Sequence, residues 1–400
     1  MSPTIWQVFF SFLQLGCTSF GGPIAHIGYF RHEFVERKRW LSAEDYNDLV
    51  ALCQFLPGPA SSQVGMAIGL LRVGYLGAFV AWLGFTLPSA LMMLALAAGL
   101  QLFTQAPPAP IIHGLKLVAL AVIAQAVYAM ATTLCNSKTK LSIMLMSLLL
   151  LNASSVSYWQ LVVMAFGAIL GMLWLKGASQ ATTESLISIS LSKRAGFAWG
   201  LVFILLLIAL PLLTHASNHP LLSMIDAFFR AGSLVFGGGH AVLPLLQAEF
   251  VTTGAMNADT FVAGYGAVQA VPGPLFSFAG FLGAAMQPTE TGMTGLFIGG
   301  CIALMAIFAP AFLLIAAVLP FWQSMRSNRW LKAALAGTGA SVVGILVSTL
   351  YNPVWTSTIF TPLDLLLACC ALIALQFGKI SPWLLVLSAV SVAVVIDLCL

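Results

Sequence analysis

Apolar residues in this chain are concentrated in long stretches that short polar connections separate. A helix needs roughly 20 apolar residues to span a bilayer. With residues 141–175 counted as a pair, the pattern predicts about thirteen membrane segments, or about twelve if one interrupted stretch does not cross. The stretches are 4–22, 46–71, 74–101, 113–134, 141–175, 197–215, 223–246, 261–286, 293–319, 330–351, 361–377 and 381–399.

The composition points to the same class of protein. Of the 400 residues, 60% are apolar and only 7% are charged, whereas soluble globular proteins carry about 25% charged residues. Because so few charges cannot cover a water-facing surface, we predict an all-α polytopic membrane protein in contact with lipid. The 16 Lys and Arg residues are too sparse for a nucleic-acid-binding face.

Motifs for catalysis and metal binding are missing from the sequence. It contains no GxxxxGK[ST], HExxH, GxSxG or CxxC pattern. We therefore expect no ATP hydrolysis through a P-loop, no enzymatic activity, and no cofactor or metal site. An intramembrane enzyme would need a nucleophile–base set or metal ligands at one depth, and we find neither set.

The chain repeats its own sequence once. Phe20-Gly21-Gly22 recurs as Phe236-Gly237-Gly238, 216 residues later, and Glu33 recurs as Glu249 at the same offset. Gln54-x-x-Pro57-Gly58-Pro59 recurs as Gln269-x-x-Pro272-Gly273-Pro274, 215 residues later. The sequence therefore predicts two homologous halves.

We place the N-terminal repeat at 1–175 and the C-terminal repeat at 223–400. Residues 176–222 form a linker with one connecting membrane segment. If every segment crosses, that extra segment inverts the second half, as in many transporters. The loop Arg31–Arg39 holds four Lys and Arg residues, whereas residues 247–260 hold none, which agrees with inversion because cytoplasmic loops are the basic ones. The other loops leave the absolute orientation open.

The two Pro-Gly-Pro elements predict broken helices. Proline removes an amide donor and glycine loosens the backbone, so the first break divides 46–71 into two half-length helices. Irregular backbone at membrane depth survives only inside protein or along a cavity, and a helix that starts there offers amides to an anion. A structural kink without a ligand is the alternative. The expected binding residues are Gln54, Pro57, Gly58, Pro59, Ser61, Ser62, Gln269, Pro272, Gly273, Pro274 and Ser277.

The glycine-rich motifs give a second candidate set, namely Gly21, Gly22, Gly237 and Gly238. Their glycines allow either close helix packing or a turn with exposed amides. His26 and His240 do not occupy equivalent positions, and we interpret each as a packing residue. In the second half, the turn after Pro274 is Leu275-Phe276-Ser277, with a single hydroxyl. The two half-sites are therefore chemically unequal.

Charged residues inside apolar stretches are costly and need a reason. Glu33 and Glu249 are repeated, and each either binds a coupling proton or orders a loop. Lys116 and Lys332 are also repeated, but each opens a segment, so we expect them to extend to the interface. Arg230 stands four residues after Asp226, and the two side chains are expected to pair.

At these motifs the chain resembles the chromate transporter family in its long-chain form. The resemblance is carried by Phe20-Gly21-Gly22-Pro23, by Trp40-Leu41-Ser42, by the two Gln-x-x-Pro-Gly-Pro elements and by the second set at Phe236. It covers both halves.

This resemblance implies a secondary transporter in the bacterial inner membrane that exports chromate, driven by the proton gradient. The implied partners are chromate or a similar oxyanion, protons and the lipid bilayer, with a homodimer as one open arrangement. Transport of another anion such as sulfate is the alternative, since chromate and sulfate are both tetrahedral dianions. A non-transporting membrane subunit would not need a break in each half.

Overall fold

A computed structural model of the protein describes residues 3–20, 22–102, 109–151, 153, 159–175, 192–217, 219–235, 239–286, 292–325, 328–378 and 380–399. Gly21, Gly237, Gly238 and linker residues 176–191 lie outside this part of the chain. Within it, the regular secondary structure is entirely helical, which confirms the predicted all-α class.

The described residues of the first half form the α-helices α1 (Ile5–Thr18), α2 (Gly22–Arg31), α3 (Ala43–Phe55), α4 (Ala60–Val73), α5 (Tyr75–Leu102), α6 (Ala109–Leu134), α7 (Lys138–Leu151) and α8 (Trp159–Trp174). The connecting helix is α9 (Lys193–Ser217). The second half contains α10 (Pro220–Leu234), α11 (Val242–Phe250), α12 (Ala258–Val268), α13 (Phe278–Met286), α14 (Met293–Val318), α15 (Trp322–Met325), α16 (Arg329–Thr349), α17 (Pro362–Gln376) and α18 (Pro382–Cys399). Short 3-10 turns at Gly239–Ala241 and Leu275–Ser277 precede α11 and α13.

Five helices in the described part of the chain are long and apolar enough to cross a membrane. They are Tyr75–Gly99, Pro110–Leu134, Lys193–Ser217, Met293–Phe321 and Arg329–Trp355. Shorter apolar helices accompany them, among them α1, α8, α17 and α18. This arrangement is that of a polytopic membrane protein.

Both segments that contain Pro-Gly-Pro are interrupted. Helix α3 ends at Phe55 and α4 begins at Ala60. Helix α12 ends at Val268, and the helical path resumes with the turn at Leu275–Ser277. Gly58 has a φ of 124° and Gly273 a φ of 96°. Side chains strongly disfavour this region, so both turns require glycine.

In each half, the first helix crosses the long proline-containing helix at close range. A methyl group on Gly16 of α1 would lie 2.6 Å from the Phe85 carbonyl oxygen of α5. A methyl group on Gly232 of α10 would lie 2.1 Å from the Ile307 carbonyl oxygen of α14. Glycine at these positions allows the two backbones to touch, as in membrane helix pairs with small residues.

The last two helices of each half pack against the other half. Helices α7 and α8 contact α16, and helices α17 and α18 contact α6. The Ser147 and Ser341 hydroxyls lie 2.7 Å apart across the first of these contacts. His113 of α6 bonds to Asp364 of α17 at 2.7 Å across the second. The two halves are thus interleaved, because each completes the helix packing of the other.

The close crossing predicts that even one methyl group destabilises the fold. Gly232→Ala should lower the free energy of unfolding by about 1–3 kcal/mol, because the α14 backbone has to move. Gly99→Ala is the matched control in α5, since nothing lies within 4 Å of that position. It should be neutral or stabilising by up to about 1 kcal/mol. Unfolding midpoints of the two purified variants in detergent test this, and equal midpoints contradict it.

The opposite orientation of the halves is tested at a matched pair of loop positions. Arg39 and Ala255 are both exposed and are equivalent in the repeat. In a cysteine-free background, we expect Arg39→Cys and Ala255→Cys to react with an impermeant thiol reagent from opposite sides of the membrane. Reaction of both from one side contradicts inversion.

Candidate functional site

The two Pro-Gly-Pro turns are bonded to the opposite halves in the same way. The Gly58 amide donates to the Val235 carbonyl at 2.7 Å, and the Gly273 amide donates to the Ser19 carbonyl at 2.9 Å. Ser19 and Val235 are equivalent in the repeat and each immediately precedes a Phe-Gly-Gly motif. Each break therefore satisfies one of its backbone groups with the end of the other half's first helix.

The glycine-rich segments meet at the same place. A methyl group on Gly239 would lie 3.4 Å from both Pro23 and Leu275. Pro23 follows the first glycine motif, and Leu275 follows the second Pro-Gly-Pro. The residues that follow or form these interruptions thus converge on one junction between the halves.

A group of buried polar side chains surrounds the start of α4. We call it the α4 polar cluster, and it consists of Ser19, His26, Ser61, Ser62 and Gln63, each at most 3% exposed. His26 Nδ1 lies 3.3 Å from the Ser61 hydroxyl, and Gln63 donates to the Pro57 carbonyl at 2.7 Å. Gln63 therefore fixes the Pro-Gly-Pro turn from inside the protein.

Several atoms of the α4 polar cluster have no hydrogen-bond partner among the described residues. They are Ser19 Oγ, Ser62 Oγ and Gln63 Oε1. Pro59 precedes the helix and supplies no side-chain cap to its first amides. A buried polar group without a partner costs about 1–3 kcal/mol, so a set of them beside a free helix N-terminus is typical of a site that takes up a polar ligand.

A small cavity lies on the second-half side of the junction. Its volume is about 70 Å³, room for several water molecules or one small polyatomic ion. The Gly273–Ser19 hydrogen bond connects it with the α4 polar cluster. Among the predicted site residues, Gly22, Gln269 and Gly273 line it, together with His240, Gln125, Pro23, Leu275 and Pro382.

The two half-sites differ in chemistry at equivalent positions. Ser61 and Gln63 of the first half correspond to Phe276 and Phe278 of the second, both buried. Ser62 and Ser277 are equivalent, and both hydroxyls are buried without a partner among the described residues. His240 bonds to the Tyr265 hydroxyl at 2.6 Å. The first half therefore offers a polar surface and the second half an aromatic one.

Not every predicted site residue lies at this junction. Gln54 is exposed, whereas its counterpart Gln269 lines the cavity and donates to the Tyr265 carbonyl at 3.3 Å. His26 is buried and lies 3.3 Å from the Ser61 hydroxyl, the environment expected of a packing histidine. Ser19 and Gln63 were missed because neither recurs in the second half.

The repeated glutamates are both paired with cations. Glu33 lies 3.0 Å from Arg37 and 3.2 Å from Lys38, and Lys38 also donates to Ser11 of α1. Glu249 lies 3.1 Å from Arg230 of α10. Each glutamate is thus bound to its half's first helix, through Lys38 in one half and Arg230 in the other.

The repeated lysines behave differently from each other. The Lys116 ammonium lies 2.6 Å from the Asp259 carboxylate, which is 57% exposed. The Lys116 side chain is buried, and its ammonium forms an ion pair between α6 and α12. Lys332 is half-buried at the start of α16. Lys116 therefore joins α6 of the first half to α12 of the second.

Comparison with known proteins agrees with the sequence motifs. A chromate transport protein of Cupriavidus metallidurans is 27% identical over 398 residues, which cover 98% of this chain and 93% of that protein. A chromate transport protein of Pseudomonas aeruginosa is 28% identical over 345 residues, covering 86% of this chain and 79% of that protein. A probable chromate transport protein of Synechococcus elongatus is 29% identical over 344 residues, covering 84% and 81%. No solved structure matches the chain.

The family model described as Chromate transporter matches residues 6–172 and 222–394, which is most of both halves. The chain therefore belongs to the chromate transporter family, in the long-chain form with two family segments.

Proposed function

We propose that this protein exports chromate from the bacterial cytoplasm across the inner membrane, with the proton gradient as its driving force. The observation that carries the proposal is the α4 polar cluster, where buried polar atoms without a partner in the described part of the chain meet the uncapped start of α4. The same chemistry would hold sulfate, another tetrahedral dianion, and the experiments below separate the two.

The proposed site binds its anion without a full countercharge. No Lys or Arg belongs to the cluster, so attraction comes from the first amides of α4, its helix dipole and the hydroxyls of Ser61 and Ser62. Binding by partial charges is strong enough for entry and weak enough for release, as transport requires. Half-helix ends of this kind hold anionic groups in other transporters.

The junction also suits alternating access. The bonds Gly58–Val235 and Gly273–Ser19 are the backbone links between the breaks and the opposite halves. If the halves rock against each other, one of these two hydrogen bonds lengthens while the other shortens. The site then opens to one side of the membrane at a time. We propose that one of the repeated glutamates, Glu33 or Glu249, binds the coupling proton. The sequence has no P-loop motif, and a proton gradient is the driving force we propose in place of ATP hydrolysis.

Expression of the protein in cells that lack their own exporter tests the function. We expect lower chromate accumulation and higher chromate tolerance, because the ion leaves against its gradient. Labelled sulfate, measured in parallel in proteoliposomes, distinguishes the two anions. Unchanged chromate accumulation despite verified membrane expression contradicts the proposal.

Substitution of the first break tests the site. Pro57→Ala with Gly58→Ala should restore a continuous helix, since alanine favours helix by about 3 kcal/mol over proline and about 1 over glycine. Helix continuity removes the free amides, so we expect chromate binding to be lost while the protein still inserts. Normal chromate binding by this folded double variant would place the site elsewhere.

A single hydroxyl gives a finer measure of the same site. Ser62→Ala removes one hydrogen bond to a charged ligand, worth about 1.5–3 kcal/mol, so the Kd for chromate should rise by about 10–100-fold. Thr338→Ala is the control, because Thr338 is also buried but bonds only to the Ala334 carbonyl of its own helix. A Kd for Ser62→Ala equal to that of the control argues against the cluster.

A further inference from the structure

Glu249 belongs to a buried charge cluster in the second half. Arg230 Nη2 lies 2.9 Å from the Asp226 carboxylate and 3.1 Å from the Glu249 carboxylate. The three side chains are between 7% and 18% exposed. Two carboxylates therefore share one guanidinium, and the cluster has a net charge of −1 when both are ionised. One bound proton makes it neutral.

The equivalent region of the first half has the opposite balance. Glu33 is bonded to both Arg37 and Lys38, which gives a net charge of +1, and Gln14 occupies the position of Arg230. A proton on Glu33 would leave two cations without their anion. A proton brings the second-half cluster to neutrality, whereas a proton on Glu33 adds to an existing excess of positive charge. The second-half cluster is therefore the one suited to take up and lose a proton.

The cluster is mechanically connected to the α4 polar cluster. Arg230 lies in the last two turns of α10, and Val235 directly follows that helix. The Val235 carbonyl accepts a hydrogen bond from the Gly58 amide. Gly58 is followed by Pro59, which immediately precedes α4. A shift of α10 relative to α11 is thus passed directly to the break that precedes the anion site.

Water has room beside the cluster. A void of about 10 Å³ is lined by Arg230, Glu249 and Gln160, close to the volume that one water needs. Gln160 of α8 donates to the Pro244 carbonyl of α11 at 3.0 Å. Its Oε1 is buried without a partner among the described residues, so it is available to a water that carries protons.

We propose that Asp226, Arg230 and Glu249 form the proton-binding site of the transport cycle, an inference that rests on the proton coupling proposed above. With both carboxylates ionised, Arg230 ties α10 to α11 and the anion site is assembled. A proton that binds the Glu249 carboxylate leaves Arg230 with Asp226, its neighbour on the same helix. The charged bond between the helices then becomes a weaker neutral one, α10 is released, and the affinity for the anion falls. Loss of the proton from the same carboxylate restores the first state.

Other ionisable groups on the surrounding helices are few. Helices α8 and α14 carry no charged side chain. Helices α9 and α16 and the turn before α11 contribute, at their ends, only Lys193, Arg194, His215, Arg329, Lys332 and His240. His240 is engaged by Tyr265.

Two amide variants should shift chromate binding in opposite directions. Glu249→Gln imitates the protonated state, so its affinity should be low at every pH. Asp226→Asn leaves Arg230 with Glu249 alone, so its affinity should stay high as the pH falls. We expect at least about a fivefold difference between the variants at low pH, the scale of ordinary coupling between sites. Comparison with the wild type at each pH removes the effect of chromate's own protonation.

The measurement is the Kd for chromate of purified, monodisperse protein between pH 5.5 and pH 8, a range chosen for the experiment. Glu44→Gln is the control, because it removes an exposed carboxylate in the first turn of α3, and it should follow the wild type. Variants that keep the wild-type pH response, or that shift the same way, overturn the proton site. If Asp226→Asn does not fold, Glu249→Gln tests the proposal by itself, because a wild-type pH dependence of its Kd contradicts the proton site. No chromate binding by the wild type contradicts the proposed function instead.

Discussion

A helix that is interrupted in apolar surroundings leaves amides and carbonyls that need hydrogen-bond partners, and in this protein one amide of each break finds its partner in the other half. Gly58 donates to Val235 and Gly273 donates to Ser19. Neither bond can form within a single half, so the breaks, the interleaved terminal helices and the close glycine crossings are one connected arrangement. Because unsatisfied backbone groups are so costly in lipid, this exchange ties the position of the site to the packing of the whole molecule.

The two Pro-Gly-Pro breaks lie 215 residues apart in the sequence, but the side chains around them differ. The first break is lined by Ser61, Ser62 and Gln63, and the corresponding second-half positions keep only one hydroxyl among Phe276, Ser277 and Phe278. The charge clusters differ as well, with an excess of cations around Glu33 and an excess of carboxylates around Arg230. In the account developed above, one half holds the anion and the other responds to protons, and the reciprocal backbone bonds connect the two tasks.

The sequence predicted much of this fold because its strongest signals are local or repeated. Apolar length predicted the long helices, and Pro-Gly-Pro predicted where two helices stop. Apolar length did not predict α2, which follows the stretch 4–22, or the break between α10 and α11 inside the stretch 223–246. The pairing of Asp226 with Arg230 followed from helical spacing. Contacts between distant segments left no such signal. Nothing in the sequence indicated that Lys116 meets Asp259 or that His113 meets Asp364. Ser19 and Gln63 occur in one half only, so no repeated position marked them as candidates.

The central claim is that one anion binds at the start of α4, and locating the bound ion tests it most directly. Crystals of the protein grown with chromate, with diffraction data collected at the chromium absorption edge, would locate the chromium atom of the substrate directly by its anomalous scattering. The account predicts a single anomalous peak within reach of the first amides of α4 and the hydroxyls of Ser61 and Ser62, next to the Gly58–Val235 bond. A strong peak elsewhere, with none at the α4 polar cluster, would contradict it.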